Sequence, residues 1–176
     1  MYKQDLEQTL LGIDEEAELE IGPRDDRPSV VFVGGCAFML NDVTNRSVTH
    51  DIDVFEADGC LREIIARYPE VNGMAVAYCN QMPFNYEDRL IPLEIGAHFI
   101  RYFTPSLEDL AVMKLYAYCP NDIVDLHSRA FIDRLDWDLP ERLIFDEGEA
   151  LASSPSERSY QEMVCAYRRY KKEVFG

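Results

Sequence analysis

Long hydrophobic runs, paired cysteines and basic residues are what this sequence has little of. It contains no uninterrupted apolar stretch of roughly 18 residues or more, the length a membrane-spanning helix requires, and its acidic N-terminal stretch lacks a signal-peptide pattern. The expectation is a cytoplasmic protein with no membrane contact. Its five cysteines, Cys36, Cys60, Cys79, Cys119 and Cys165, are an odd number and form neither a CxxC pair nor a Cys/His cluster. That spacing argues against a disulfide framework and against a zinc site, and it predicts thiols that act as small buried hydrophobes. No internal repeat or low-complexity tract is present.

Basic charge is the scarcest commodity. Seventeen Lys and Arg stand against 33 Asp and Glu, a formal net charge of −16. A surface of that sign repels nucleic acid unless its cations are segregated. They partly are: Arg158, Arg168, Arg169, Lys171 and Lys172 crowd the C-terminal stretch, while Asp14, Glu15, Glu16, Glu18 and Glu20 mark an acidic N-terminal one. The hydrophobic content of 47% in 176 residues is that of an ordinary globular protein with a core of its own.

Periodicity divides the chain. Leu6, Leu10 and Ile13 form a thin apolar stripe on a helix over residues 1 to about 20, which Gly22-Pro23 ends. A buried strand Val30–Val33 leads into a helix from Gly35 to about Asn41, and a polar loop leads to a second strand, Asp51–Phe55. A helix over Leu61–Tyr68 stops before Pro69, and the alternation of residues 74–79 predicts a strand. Pro92 and Gly96 split the region 89–103 into two short edge strands. Ser106 is an N-cap with Asp109 three residues on, opening a helix that stops near Pro120. Further helices start at Asn121 or Asp122, after Pro140 and at about Ser156. The division expected is an N-terminal helix and linker over 1–25, a core over 26–135 and a helical extension over 136–176.

The chemistry is concentrated between Val30 and Phe55. Val30-Val31-Phe32-Val33 runs into Gly34-Gly35, and a paired glycine at a strand end lets backbone approach a phosphate where a side chain would intervene. Asp51 and Asp53, one residue apart in a strand, project to the same face and can hold a divalent metal, with Ile52 and Val54 facing the other way. Mg²⁺ takes few protein ligands and keeps waters, so two or three acids suffice. Together these features suggest a site for a metal-bound nucleoside triphosphate.

The run Val31 to Ala37, followed by Arg46-Ser47-Val48-Thr49-His50-Asp51-Ile52-Asp53-Val54, resembles the hG[GS]…DxD core of the nucleotidyltransferase superfamily. A second stretch, Leu107 to Ala117 and then Asn121-Asp122-Ile123-Val124-Asp125-Leu126, is similar to the DLxxxKLxAxxxRDxxDL pattern of the AbiEii-like, toxin-related branch. The likeness spans roughly residues 30 to 127.

It implies an α/β (α+β) fold, a short mixed sheet flanked by helices with a helical C-terminal region. It also implies Mg²⁺ or Mn²⁺ on Asp51 and Asp53, and an NTP whose triphosphate lies on Gly34 and Gly35. Arg46 and Thr49 stand near the phosphates. Lys114 would neutralise phosphate charge, with Asp122 or Asp125 in or beside the active site. Asn121 stands where the pattern commonly has arginine, and the third metal-binding acid has no clear counterpart, Glu94 being the candidate.

The expected activity is transfer of a nucleotidyl group to tRNA or to protein, as the toxin of a toxin–antitoxin pair. Two alternatives stand beside it: an idle module of the same fold that binds a basic antitoxin or regulator, and an enzyme acting on a cationic small molecule such as an aminoglycoside. Each residue also has a plainer reading. Lys114 can be a snorkelling lysine, Asp122 a cap and Asp125 a first-turn acid, and Ser47 and Thr49 can be turn formers. His50, His98 and His127 read as structural.

Overall fold

A computed structural model describes residues 1–73, 75–146 and 156–176. The chain begins with helix α1 (Lys3–Ile21), strand β1 (Ser29–Val33), helix α2 (Gly34–Leu40) and strand β2 (Ile52–Ala57). Helix α3 (Arg62–Ile65) and strand β3 (Val71–Asn72) follow, and then β4 (Ile91–Pro92) and β5 (Arg101–Thr104). The rest is helical: α4 (Leu107–Ala117), α5 (Pro120–Leu126), α6 (Arg129–Ile132), α7 (Asp138–Phe145) and α8 (Glu157–Phe175). The fold is a mixed sheet with helices against it, followed by a helical C-terminal region, as expected from the sequence.

Chain contacts separate two compact units. One comprises Met1–Asp42, Arg46–Val76 and Leu90–Thr104; the other comprises Val43–Asn45, Ala77–Arg89 and Pro105–Gly176. The first holds the whole sheet, in the order β3-β2-β1-β5-β4. Strand β1 runs antiparallel to β2 and parallel to β5, β3 is parallel to β2, and β4 is antiparallel to β5. Pro92 lies in an edge strand, where its missing N–H costs no ladder bond.

The stripe Leu6, Leu10, Ile13 and Ala17 of α1 packs with Val30, Phe32, Ile52, Val54 and Tyr102 from the sheet. Each fully buried Leu or Ile contributes about 1.5–3 kcal/mol of transfer free energy. The same helix carries a buried acid. Asp14 is 3% exposed, and its carboxylate accepts the backbone N–H groups of His98 (2.8 Å), Phe99 (3.0 Å) and Ile100. Arg27 donates to the carbonyls of Ala97, Phe99 and Ile100 from the other side. A segment with no ladder of its own thus has its polar backbone satisfied by two ionised side chains, as buried backbone requires.

In the second unit α4 is buried on every side from Leu107 to Leu115, so its three charged residues must find partners. Glu108 accepts the Asp136 N–H at 2.9 Å. Asp109 receives a two-pronged bond from Arg89 and the Ser106 hydroxyl, while the Ser106 oxygen caps the Asp109 N–H at 3.1 Å. The N-cap read from the sequence is therefore present. The helix ends near Pro120, as read: Ala117 is its last residue, and Tyr118, with a left-handed φ of 43°, turns the chain and closes a bond to the Lys114 carbonyl.

Several expectations fail. Of the two strands read as edges, β5 lies between β1 and β4 because it pairs with β1, and α7 starts at Asp138 with Pro140 in its first turn, where proline's missing N–H costs no helical bond. Residues 75–81 form a 3₁₀ turn where a strand over 74–79 was read; residue 74 lies outside the described residues. β-forming composition needs a ladder partner to become a strand, and the position beside β2 is already taken by Val71–Asn72. The helix expected over Leu61–Tyr68 is shorter, a 3₁₀ turn Gly59–Leu61 continued by α3. Four of the five cysteines are exposed, and only Cys36 is buried. Cys119 caps α5, and Cys165 falls off the buried stripe of α8 formed by Met163, Val164, Ala166, Tyr167 and Tyr170.

Candidate active site

Register builds the site. Val33, the last residue of β1, is paired with Asp53 of β2, so the glycine that follows Val33 is delivered directly beside the Asp53 side chain. Gly34 has φ +66°, and a Cβ built there would collide with the Asp53 carboxylate. At Gly35 a Cβ would collide with the guanidinium of Arg46 and come within 3.3 Å of the Thr49 hydroxyl oxygen. The two glycines are thus the floor of a small cradle whose walls are Asp53, Arg46 and Thr49. Glycine is favoured at the first by both conformation and space, whereas at the second the obstacle is the movable end of the Arg46 side chain.

Along β2 the alternation holds: Ile52 and Val54 are buried, Asp53 is half-buried, and Asp51, just ahead of the strand, is exposed. Asp53 is held at two points. Its N–H donates to the Cys36 sulfur at 3.3 Å, and its Oδ1 accepts from the Asn72 side-chain amide at 2.9 Å. The Cys36 thiol donates to the Val33 carbonyl at 3.0 Å; burial, assisted by the nearby Asp53 charge, pushes it up to about 12, so it stays a neutral spacer. Thr49 is buried, and its hydroxyl donates to the Asp51 carbonyl at 3.2 Å, which sets the entry of the chain into the acid pair.

Neither Cys36 nor Asn72 was singled out from the sequence. Cys36 follows the glycine pair directly, a signal that was available. Asn72 becomes visible only through the pairing of β3 with β2.

Glu94 lies elsewhere. It is exposed and follows β4, the strand at the far edge. Three strand spacings, roughly 14 Å, separate that edge from β2. Among the described residues no group of three or more His, Cys, Asp or Glu is placed to hold a metal. Asp51 and Asp53 do offer two hard carboxylates beside the glycine pair, a donor set that fits Mg²⁺ or Mn²⁺ completed by water and other oxygen ligands.

The second motif assembles within the helical unit. Lys114 is 7% exposed, and its ammonium lies 2.8 Å from Asp122 Oδ1 and 2.8 Å from Asp125 Oδ2. Asp122 sits at the third position of α5, where its Oδ2 accepts the Cys119 N–H at 3.1 Å. Burial opposes its ionisation, but the Lys114 charge and the hydrogen bonds from Cys119 and Lys114 outweigh it and hold the carboxyl below its usual range. Asp125 is fully buried and accepts the Thr44 hydroxyl at 2.6 Å. Lys114 is thus no surface lysine: it ties α4 to α5 through two carboxylates. His50 and His98 are exposed, and His127 bridges the Ile123 carbonyl and Glu173.

Among the described residues no helix is long and apolar enough to cross a membrane. No curated protein and no solved structure matches the chain. Residues 8–175 match the model of one family, described as "Nucleotidyltransferase of unknown function (DUF6036)". That match takes in the glycine cradle, the acid pair and the lysine triad alike, and the chain belongs to this nucleotidyltransferase family.

Proposed function

We propose that the chain moves a nucleotidyl group from a nucleoside triphosphate to a hydroxyl acceptor on tRNA or protein, at a site formed by Gly34, Gly35, Arg46, Thr49, Asp51 and Asp53. The observation that carries the reading is the glycine pair at the end of β1, with the Asp53 carboxylate packed over the first and the Arg46 guanidinium over the second. Backbone kept bare at two successive residues, against a carboxylate on one side and a guanidinium on the other, suits a phosphate chain lying across it. Arg46 would engage phosphate oxygens, and Thr49 would fix the loop that carries it. Asp51 and Asp53 would hold Mg²⁺ or Mn²⁺, which would offset the negative charge that develops on the phosphate oxygens. In the transfer itself the acceptor hydroxyl oxygen bonds to the α-phosphorus as the bond to the pyrophosphate oxygen breaks, pyrophosphate leaves, and the hydroxyl proton is released to solvent.

The pattern around Lys114, Asp122 and Asp125 supports placing the chain near the AbiEii-like branch, with a toxin's role against tRNA or protein.

The test is an isotope-transfer assay. Protein with Mg²⁺ or Mn²⁺ and each α-³²P NTP is given a cell extract that is then split into RNA, protein and small-molecule fractions, with Asp53→Asn as control. Label entering RNA or protein with the wild type alone is the expected result and names the acceptor. Label confined to small molecules would replace the acceptor class, and no label at all from folded protein would overturn the enzymatic reading in favour of a partner-binding module.

A further inference from the structure

The residue beside Asp53 in the sheet is an amide. Asn72 of β3 is the register partner of Asp53 in a parallel ladder, so the two side chains leave the same face on strands about 4.8 Å apart. The Asn72 amide donates to Asp53 Oδ1 at 2.9 Å. The direction is chemically forced, since an ionised carboxylate only accepts.

Building on the nucleotidyl-transfer reading, we propose that Asn72 is a positioning residue that makes the acid pair a two-carboxylate site. Such a site takes its divalent cation together with the nucleotide's phosphates rather than alone.

Three facts carry this. Asn72 occupies the one sheet position adjacent to Asp53 on the strand away from β1, and there it supplies a neutral donor where an acid would supply a third negative charge. Its bond to Oδ1 fixes the rotation of the carboxylate whose other oxygen lies over Gly34. Among the described residues no third acid, His or Cys completes a metal-binding group. Mg²⁺ dehydrates reluctantly, and with two carboxylates it relies on waters and substrate phosphates for its remaining positions. A site built this way discriminates for the metal–triphosphate complex over free metal, and its pre-set Asp53 rotamer is the part the protein supplies. Outer partners of this kind are typically worth about 10–100-fold in metal affinity.

The experiment is calorimetry on the full chain with two probes: Mn²⁺ alone, and the preformed complexes of Mn²⁺ with each of the four α,β-nonhydrolysable nucleoside triphosphates. The wild type should bind at least one complex about tenfold or more tighter than the bare ion. Asn72→Asp, by adding the missing carboxylate, should tighten binding of the bare ion about tenfold or more. Asn72→Ala, which keeps the charge and loses the hydrogen bond, should weaken the complex about tenfold with its melting temperature unchanged. If Asn72→Asp fails to fold, the alanine variant decides.

Wild-type protein that binds the bare ion as tightly as the complex overturns the inference. So does an alanine variant that binds the complex like the wild type. In both cases the nucleotidyl-transfer reading survives as long as Asp53→Asn abolishes binding of the complex. A wild type that binds no complex removes that reading and the inference with it.

Discussion

Two aspartate pairs sit in this chain under opposite regimes. Asp122 and Asp125, in the helical unit, are buried and matched in place by Lys114, Thr44 and the Cys119 N–H. Asp51 and Asp53, in the sheet unit, are exposed and half-buried beside bare glycine backbone, and Asp53 is oriented by an amide. The first pair has its counter-charge built into the fold. The second lies against the glycine pair, with the Asp53 carboxylate over Gly34 and the Arg46 guanidinium over Gly35. Buried ions without partners are prohibitively costly, so an acid pair at depth must be neutralised internally, whereas one nearer the surface is under no such constraint. The same residue type is therefore enclosed by internal partners in one unit, and in the other stands at the site proposed above for a ligand.

Substitutions should separate the pairs cleanly. The largest effect is expected from Asp53→Asn: transfer activity falls about 10³-fold, while stability in a denaturant titration stays within about 0.5 kcal/mol of the wild type. A matching loss of stability would make Asp53 a structural acid like Asp125. Lys114→Met should do the reverse, costing about 3–5 kcal/mol because two buried carboxylates lose their cation, with affinity for a Mn²⁺–triphosphate complex unchanged at a temperature where it is folded. A folded variant with selectively weakened triphosphate affinity would instead restore the phosphate role that the sequence motif implies for Lys114.

Gly34→Ala comes next. Left-handed backbone at a non-glycine residue costs roughly 1–2 kcal/mol, and the new methyl displaces the Asp53 carboxylate, so stability and nucleotide binding should fall together. Gly35→Ala meets the movable end of Arg46 and should lower triphosphate affinity with little change in melting temperature.

The smallest effect concerns pH. Asp122 is held below its usual range, so its stabilisation is complete above the unfolded carboxylate's pKa of about 4 and is lost as pH falls through the lower folded value. Unfolding followed from pH 6 down to pH 2 should show that acid limb in the wild type and a shallower one in Asp122→Asn.

What was legible in the sequence was local. The helix start at the glycine pair and the Ser106 cap both depend on residues within a few positions of themselves, and each is where the pattern put it. The α1 stripe was legible because a period of 3.6 residues is written in one segment. What escaped depends on a partner far along the chain. The segment 74–79 has strand composition but no ladder to join. Asn72 matters only because β3 lies beside Asp53, and Lys114, which the motif implies at the phosphates and which has a snorkelling lysine as its plainer reading, meets two acids only because α5 folds back to supply them. Exposed cysteines contradict the average behaviour of the residue type because a cap and an off-stripe helix position are set by geometry, not by hydrophobicity.

The clasp on residues 97–100 bears on how the protein is made. Asp14 and the amides it receives are 84 to 86 positions apart. A ribosome adding roughly 5–20 residues per second needs about 4–17 s to cover that distance. Throughout that interval the first helix can form but cannot complete its docking, since the acid on its inner face awaits backbone that does not yet exist. The sheet unit is therefore finished late, and a chain released before Ile100 carries an N-terminal helix whose inner face still wants its lid, a natural target for a chaperone that recognises amphipathic segments.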